Sequence, residues 1–297
     1  MASFETPHPI AVALGVGVGR INLTVTDRTD TVVEVHPTRV DRRGDVALAE
    51  RTRVELNGDR LSIVAPHGGW RQYVAWGDSD SVDVRIDLPA GSSFEGDSQL
   101  GDLTCTGSLG ECRYKTGMGV IQIDGAATVR VRTGLGNVNI ATVRGDLEVS
   151  TGSGSVRVGH VSGDATIKSS NGDISVGEVG GALNVRSANG GIGVDRAQQS
   201  VVARTANGSV RIGEVESGSV EIRSACGKLD IGVAAGVCAW LDLTSPGGVV
   251  RNELHDAPPP QSADRTVEVK AHTGYGDIFI RRADGVSAAP RPTEAGA

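Results

Sequence analysis

Six cations stand immediately before a Ser or Thr that recurs along the chain: Lys115, Arg132, Lys168, Arg186, Arg204 and Arg223. The same position holds Ser150, Thr244 and His272 elsewhere. Like charges held side by side repel unless they are screened or paired. Such a row therefore leans on acids such as Glu148 and Glu221, two positions earlier, or it meets an anionic partner. The six cations are the candidate binding residues. The matching partners are an acidic protein surface or an extended anionic polymer.

Other chemistry finds little footing. The repeated TGxGxV segments superficially resemble the calcium-binding nonapeptide, which needs an Asp two residues after its last glycine. Here that place holds Ile121, Val138, Val156, Ile174, Ile192 and Val210, so calcium rungs are excluded. Asp102, Asp173 and Asp277 directly follow the glycine and read as turn residues. Glycoside cleavage needs clustered carboxylates. The outward positions after the turn are Gln122, Asn139, Arg157, Ser175, Gly193 and Arg211, with no recurring acid pair. The six histidines show no metal spacing. Cys105, Cys112, Cys226 and Cys238 form no CxxC pair, and free, mostly buried thiols are expected. No cofactor is expected, and the chain reads as a non-enzyme.

Composition narrows the rest. Of 297 residues, 42 are glycine and only nine are aromatic, so the core must be made of small aliphatic side chains. The net charge of −7 disfavours a nucleic acid as partner. No basic leader and no apolar run of membrane-spanning length is apparent, which sets a cytoplasmic expectation.

The elements that must position the cations follow from a repeat of about eighteen residues. TGMGVIQI (116–123), TGLGNVNI (133–140), TGSGSVRV (151–158), SSNGDISV (169–176), SANGGIGV (187–194), TANGSVRI (205–212), SACGKLDI (224–231) and TGYGDIFI (273–280) share one form. SQLGDLTC (98–105) precedes them, and a degenerate SPGGVVRN (245–252) falls within the series. Apolar residues also sit two and four positions before the Ser or Thr, as at Leu147 and Val149. Alternation of this kind makes strands with one buried face. Each unit is thus strand, glycine turn, strand, and stacked units bury a continuous core. Helices are not expected, because no stretch of helical period has caps at both ends. The expected fold is all-β: a right-handed parallel β-solenoid with an N-terminal β cap.

Asn171, Asn189 and Asn207 precede their glycines and suit a turn with positive φ, or a stacked side-chain ladder. Thr133, Thr151, Ser169, Ser187 and Thr205 point inward and read as a hydrogen-bonded hydroxyl row. Residues 1–95 read as a mixed β region capping the first rung, 96–282 as the repeats and 283–297 as a disordered tail. Asn57-Gly58-Asp59 between two alternating runs marks a hairpin. The 67–80 loop, with Trp70, Tyr73 and Trp76, reads as a lid over the solenoid end. The proline-rich stretch 255–265 reads as a loop that swells one rung.

The run RINLTVTDRTDTVVEV, the strand RLSIVAP, the transition SVDVRIDLPAGSSF and the TGxGxVxV units that follow resemble DUF4097, a bacterial family of β-strand-repeat proteins. The resemblance covers about residues 10–282 and implies a β-helical fold with the adhesin-like label that family carries. The reading reached is a non-enzymatic scaffold or protein-interaction module with protein partners. Binding of an extended anionic polymer comes second and a carbohydrate-active enzyme third. Bare solenoid ends also admit end-to-end self-association.

Overall fold

The structure is a computed structural model that describes residues 1–66, 80–254 and 265–283. The expected lid, the proline-rich stretch and the tail lie outside the described residues, at 67–79, 255–264 and 284–297.

The chain folds as a right-handed β-solenoid, its parallel strands nearly closed around an axis. One rung shows the logic. Leu147–Ser153 turns through Gly154 into Val156–Val161. Leu147, Val149, Val156, Val158 and Val161 are all buried. The alternation breaks between Val158 and Val161, both of which are buried. The next rung repeats this in register: Leu147 pairs with Ala165, Val149 with Ile167, Val156 with Ile174 and Val161 with Val179. Each aliphatic side chain so buried contributes about 1.5–3 kcal/mol. The stack therefore needs no large aromatic core.

The motif glycine is required by its neighbours in the stack. Gly154 sits at φ 139° and Gly172 at φ 126°. A Cβ at Gly154 would collide with the carbonyl oxygen of Gly136, and one at Gly172 with that of Gly154. Such close approach lets the ladder run on through the turn, with Gly154 N donating to Asn171 O at 2.9 Å. No non-glycine residue among those described has positive φ. Asn171, Asn189 and Asn207 thus do not supply the turn geometry. They form the side-chain ladder instead: Asn189 Nδ2 donates to Asn171 Oδ1, and Asn207 Nδ2 to Asn189 Oδ1, each at 3.0 Å.

At the N-terminal end, Ala11–Thr26 is itself a member of the parallel stack. It lies between Ser93–Met118 on one side and Arg60–Val64 with Val82–Pro89 on the other. Antiparallel strands then close the edge. Asp30–Pro37 pairs with Val82–Pro89, Ala2–Glu5 with Asp30–Pro37, and Arg53–Asn57 with Arg60–Val64. The last pair is the expected hairpin, turned at Gly58 with φ 59°.

A helix stands here that the sequence did not lead us to expect, Arg43–Arg51. It has no side-chain cap bond, so the usual boundary signal is missing. Tertiary contacts hold it instead. The fully buried Asp45 accepts from Arg39 Nε at 3.0 Å and from Ser81 N at 3.0 Å, with Arg42 Nε at 3.7 Å.

The far end departs from sequence order. Thr266–Tyr275 lies between Gly218–Cys226 and Cys238–Thr244, parallel to both. The degenerate unit at 245–252 therefore belongs to the outermost rung, and the later 273–280 unit is inserted beneath it. Both terminal segments of the stack thus lie one rung in from their end.

Candidate functional site

The face that carries the cations is built from the first strand of each rung. Inward parity is taken by Val185 and Ser187, so Arg186 between them must point out. Exact rung register then aligns the row. Lys115 pairs with Arg132, Arg132 with Ser150, Ser150 with Lys168, Lys168 with Arg186, Arg186 with Arg204, and Arg204 with Arg223. Arg223 is followed by His272 and then Thr244. All six predicted residues thus share one face and one line, about 4.8 Å apart per rung.

Compensation is uneven along this line. Lys115 Nζ lies 3.9 Å from Asp97, and Arg132 lies 3.4 Å from Glu148. Glu221 holds both Arg204, at 2.8 Å, and Arg223, at 3.0 Å. The Arg204 hydrogen bond leads the causes that hold the Glu221 carboxyl below its ordinary range. Between these acids the neighbouring outward column reads Thr166, Asn184 and Val202. Lys168 and Arg186 accordingly have no ion pair among the described residues. The exposed pairs themselves contribute little stability.

Behind the cations the hydroxyl row is only partly satisfied, which corrects the expected ladder. Thr133 donates to Leu135 O at 3.2 Å, Ser224 to Gly208 O at 3.1 Å and Thr273 to Gly227 O at 3.0 Å. The hydroxyls of Thr151, Ser169 and Ser187 have no partner among the described residues. A hydroxyl in this row is satisfied either by a carbonyl or by the next rung's hydroxyl, as where Ser98 donates to Thr116 at 3.0 Å. These three have neither.

Near the N-terminal end the face dips into a cleft of about 590 Å³. Its floor includes Ala13 and Gly15, and Arg60, Arg113, Lys115, Arg130 and Arg132 line it. Arg113 and Arg130 were missed from sequence. They occupy the outward column two residues before the predicted one, and following both outward columns would have found them. Arg113 is held by Glu111 at 2.7 Å and Arg130 by Glu148 at 3.3 Å.

The remaining candidates behave as structural groups. Ile121, Val138, Val156, Ile174, Ile192 and Val210 are core residues, so the calcium-type positions face inward. Asp102, Asp173 and Asp277 accept the backbone N–H of Val120, Gly191 and Val249 at 2.7, 2.8 and 2.9 Å. They are rung-to-rung clamps. Burial pushes the Cys105 thiol up to about 12 and raises that of Cys112 further, which makes both inert as nucleophiles. Cys238 is partly buried and Cys226 is exposed, so the thiols are less uniformly interior than expected. Among the described residues no group of His, Cys, Asp and Glu is placed to hold a metal, and no helix is long and apolar enough to cross a membrane.

No curated protein matches the chain. Among solved structures, one described as a putative adhesin from Bacteroides fragilis is 15% identical. The match covers 94% of this chain and 95% of that one at a TM-score of 0.33. A putative adhesin from Parabacteroides distasonis is 14% identical, with 94% and 96% covered and a TM-score of 0.31. A structure described as a putative lipid binding protein from the same organism is 12% identical, with 95% and 96% covered and a TM-score of 0.30. The family model described as Toastrack DUF4097 matches residues 14–287, nearly the whole chain, and the protein belongs to that family.

Proposed function

We propose that this protein is a non-enzymatic interaction scaffold whose binding surface is the aligned basic face, and that its partner is a protein with an acidic surface. The observation that carries the reading is the pair Lys168 and Arg186. They lie in mid-row on adjacent rungs, uncompensated among the described residues, in a chain of net charge −7. Backbone pairing on both sides fixes their strands, so the cations are presented with little backbone entropy left to lose on binding.

The test replaces Arg186, Arg204 and Arg223 with Ser and measures capture of partners from cell extract beside a control with Arg157→Ser and Arg211→Ser on the adjoining face. Capture that falls in the triple variant, survives in the control and weakens with added salt supports the reading. Equal capture by both variants overturns it. The extended-polymer reading draws no support from the family or the relatives and forms the second arm. Binding of polyphosphate that is lost in the triple variant, with no protein captured, would replace the protein partner by a polymer.

A further inference from the structure

The C-terminal end of the stack is built unlike the rest. Cys238–Thr244 pairs with Thr266–Tyr275 on one side, and Val250–Asn252 pairs with Ile278–Arg282. Neither has a partner on its other side among the described residues. The core is less fully covered here among the described residues. Ile222 and Ala271 are buried, yet Leu243, next in the same column, is only partly buried. Leu241 likewise follows the fully buried Val220 and Val269. Trp240 is 70% exposed. An unpaired strand edge over a partly covered core is a template for another strand.

The neighbouring sequence is rich in proline. The stretch 255–264 contains Pro258, Pro259 and Pro260, and the last residues contain Pro290 and Pro292. Proline has no N–H to give to a ladder. The edge strand does match itself. Antiparallel pairing about Leu241 sets Leu241 across from Leu241, Ala239 from Leu243 and Trp240 from Asp242. Inward residues meet inward residues, and the strand's one charge, Asp242, does not meet its copy. A head-to-tail contact would instead meet the antiparallel cap, whose outer strands expose Arg53, Glu55 and Glu5.

We propose that Cys238–Thr244 is a homodimer interface, pairing antiparallel with the same strand of a second copy about a two-fold axis through Leu241. Such a contact closes after two copies. It continues the core from one protomer into the other and leaves both basic rows on the same side of a rod of doubled length.

Sedimentation from low to high micromolar concentration tests this with charge at position 240, where exposure spares the fold. The parent protein should pass from monomer to dimer and stop there. Trp240→Glu sets a carboxylate against Asp242 of the second copy at two symmetric contacts and should raise the dissociation constant roughly tenfold. Trp240→Lys sets an ammonium there and should dimerise more tightly than Trp240→Glu. Trp240→Glu/Asp242→Lys should recover the dimer. A monomer at every concentration, growth beyond the dimer, or equal behaviour of the Glu and Lys variants would overturn the proposal.

Discussion

At the N-terminal end the outer parallel strands Arg60–Val64 and Val82–Pro89 each carry an antiparallel partner, and a helix is pinned beside them by Asp45. At the C-terminal end Cys238–Thr244 and Val250–Asn252 carry no such partner among the described residues, and leucines of the core columns are only partly buried. Both ends place a terminal segment one rung inside the edge, so in each the outermost rung is tied down by chain that returns beneath it. They differ in what they do with the last row of backbone groups. One end pairs its outermost parallel strands with antiparallel neighbours; the other leaves its outermost parallel strands without a partner among the described residues. A solenoid can thus use one end for stability and keep the other for association.

The comparison can be sharpened by substitutions in a single column. Ile222 and Leu243 share one inward register through Ala271, yet only Ile222 is fully buried. Ile222→Ala should cost about 3 kcal/mol in urea unfolding, as expected for a buried large-to-small change. Asp45→Ala removes the acceptor for Ser81 N and Arg39, and should cost about 2 kcal/mol, less than a fully buried pair because Arg39 is half-exposed.

Acid should reach the same cap. Burial works to raise the Asp45 carboxyl, but the Arg39 and Ser81 hydrogen bonds and the Arg39 and Arg42 charges outweigh it and hold it below its ordinary value of 3.8. Its folded value is depressed, so its contribution is fully present above the unfolded value and fades as pH falls through the folded one. Stability of the parent should therefore fall below about pH 4, and Asp45→Asn should lose that part of the slope. Leu243→Ala, at the C-terminal end, should cost only about 1 kcal/mol in dilute protein, since it is only partly buried there. Asn189→Ala removes two side-chain amide hydrogen bonds of an exposed ladder and should cost about 0.5–1 kcal/mol. An Ile222→Ala loss no greater than that of Leu243→Ala would break the contrast between interior and end.

What the sequence made legible was whatever repeats. Eighteen-residue spacing, alternation and the glycine column give strands, register and the outward line of Lys168, Arg186 and Arg204, because each rung imposes the same demand on the same position. What it hid does not repeat. Arg43–Arg51 is helical through contacts made to Asp45 from Arg39 and Ser81, and no local cap announces it. The 273–280 unit looks like the last rung, but spatial order is set by which edges pair, and similar units carry no label of order. The hydroxyls of Thr151, Ser169 and Ser187 match those of satisfied neighbours in type and spacing, so only three-dimensional acceptor positions separate them.

Hydrogen exchange at the two ends tests most directly whether one is sealed and the other offered. Amides of Val82–Pro89 should be protected at every protein concentration. Those of Cys238–Thr244 that point away from Thr266–Tyr275 should exchange fast in dilute protein and slow as the concentration rises. Protection of Cys238–Thr244 equal to that of Val82–Pro89 in dilute protein would contradict the account.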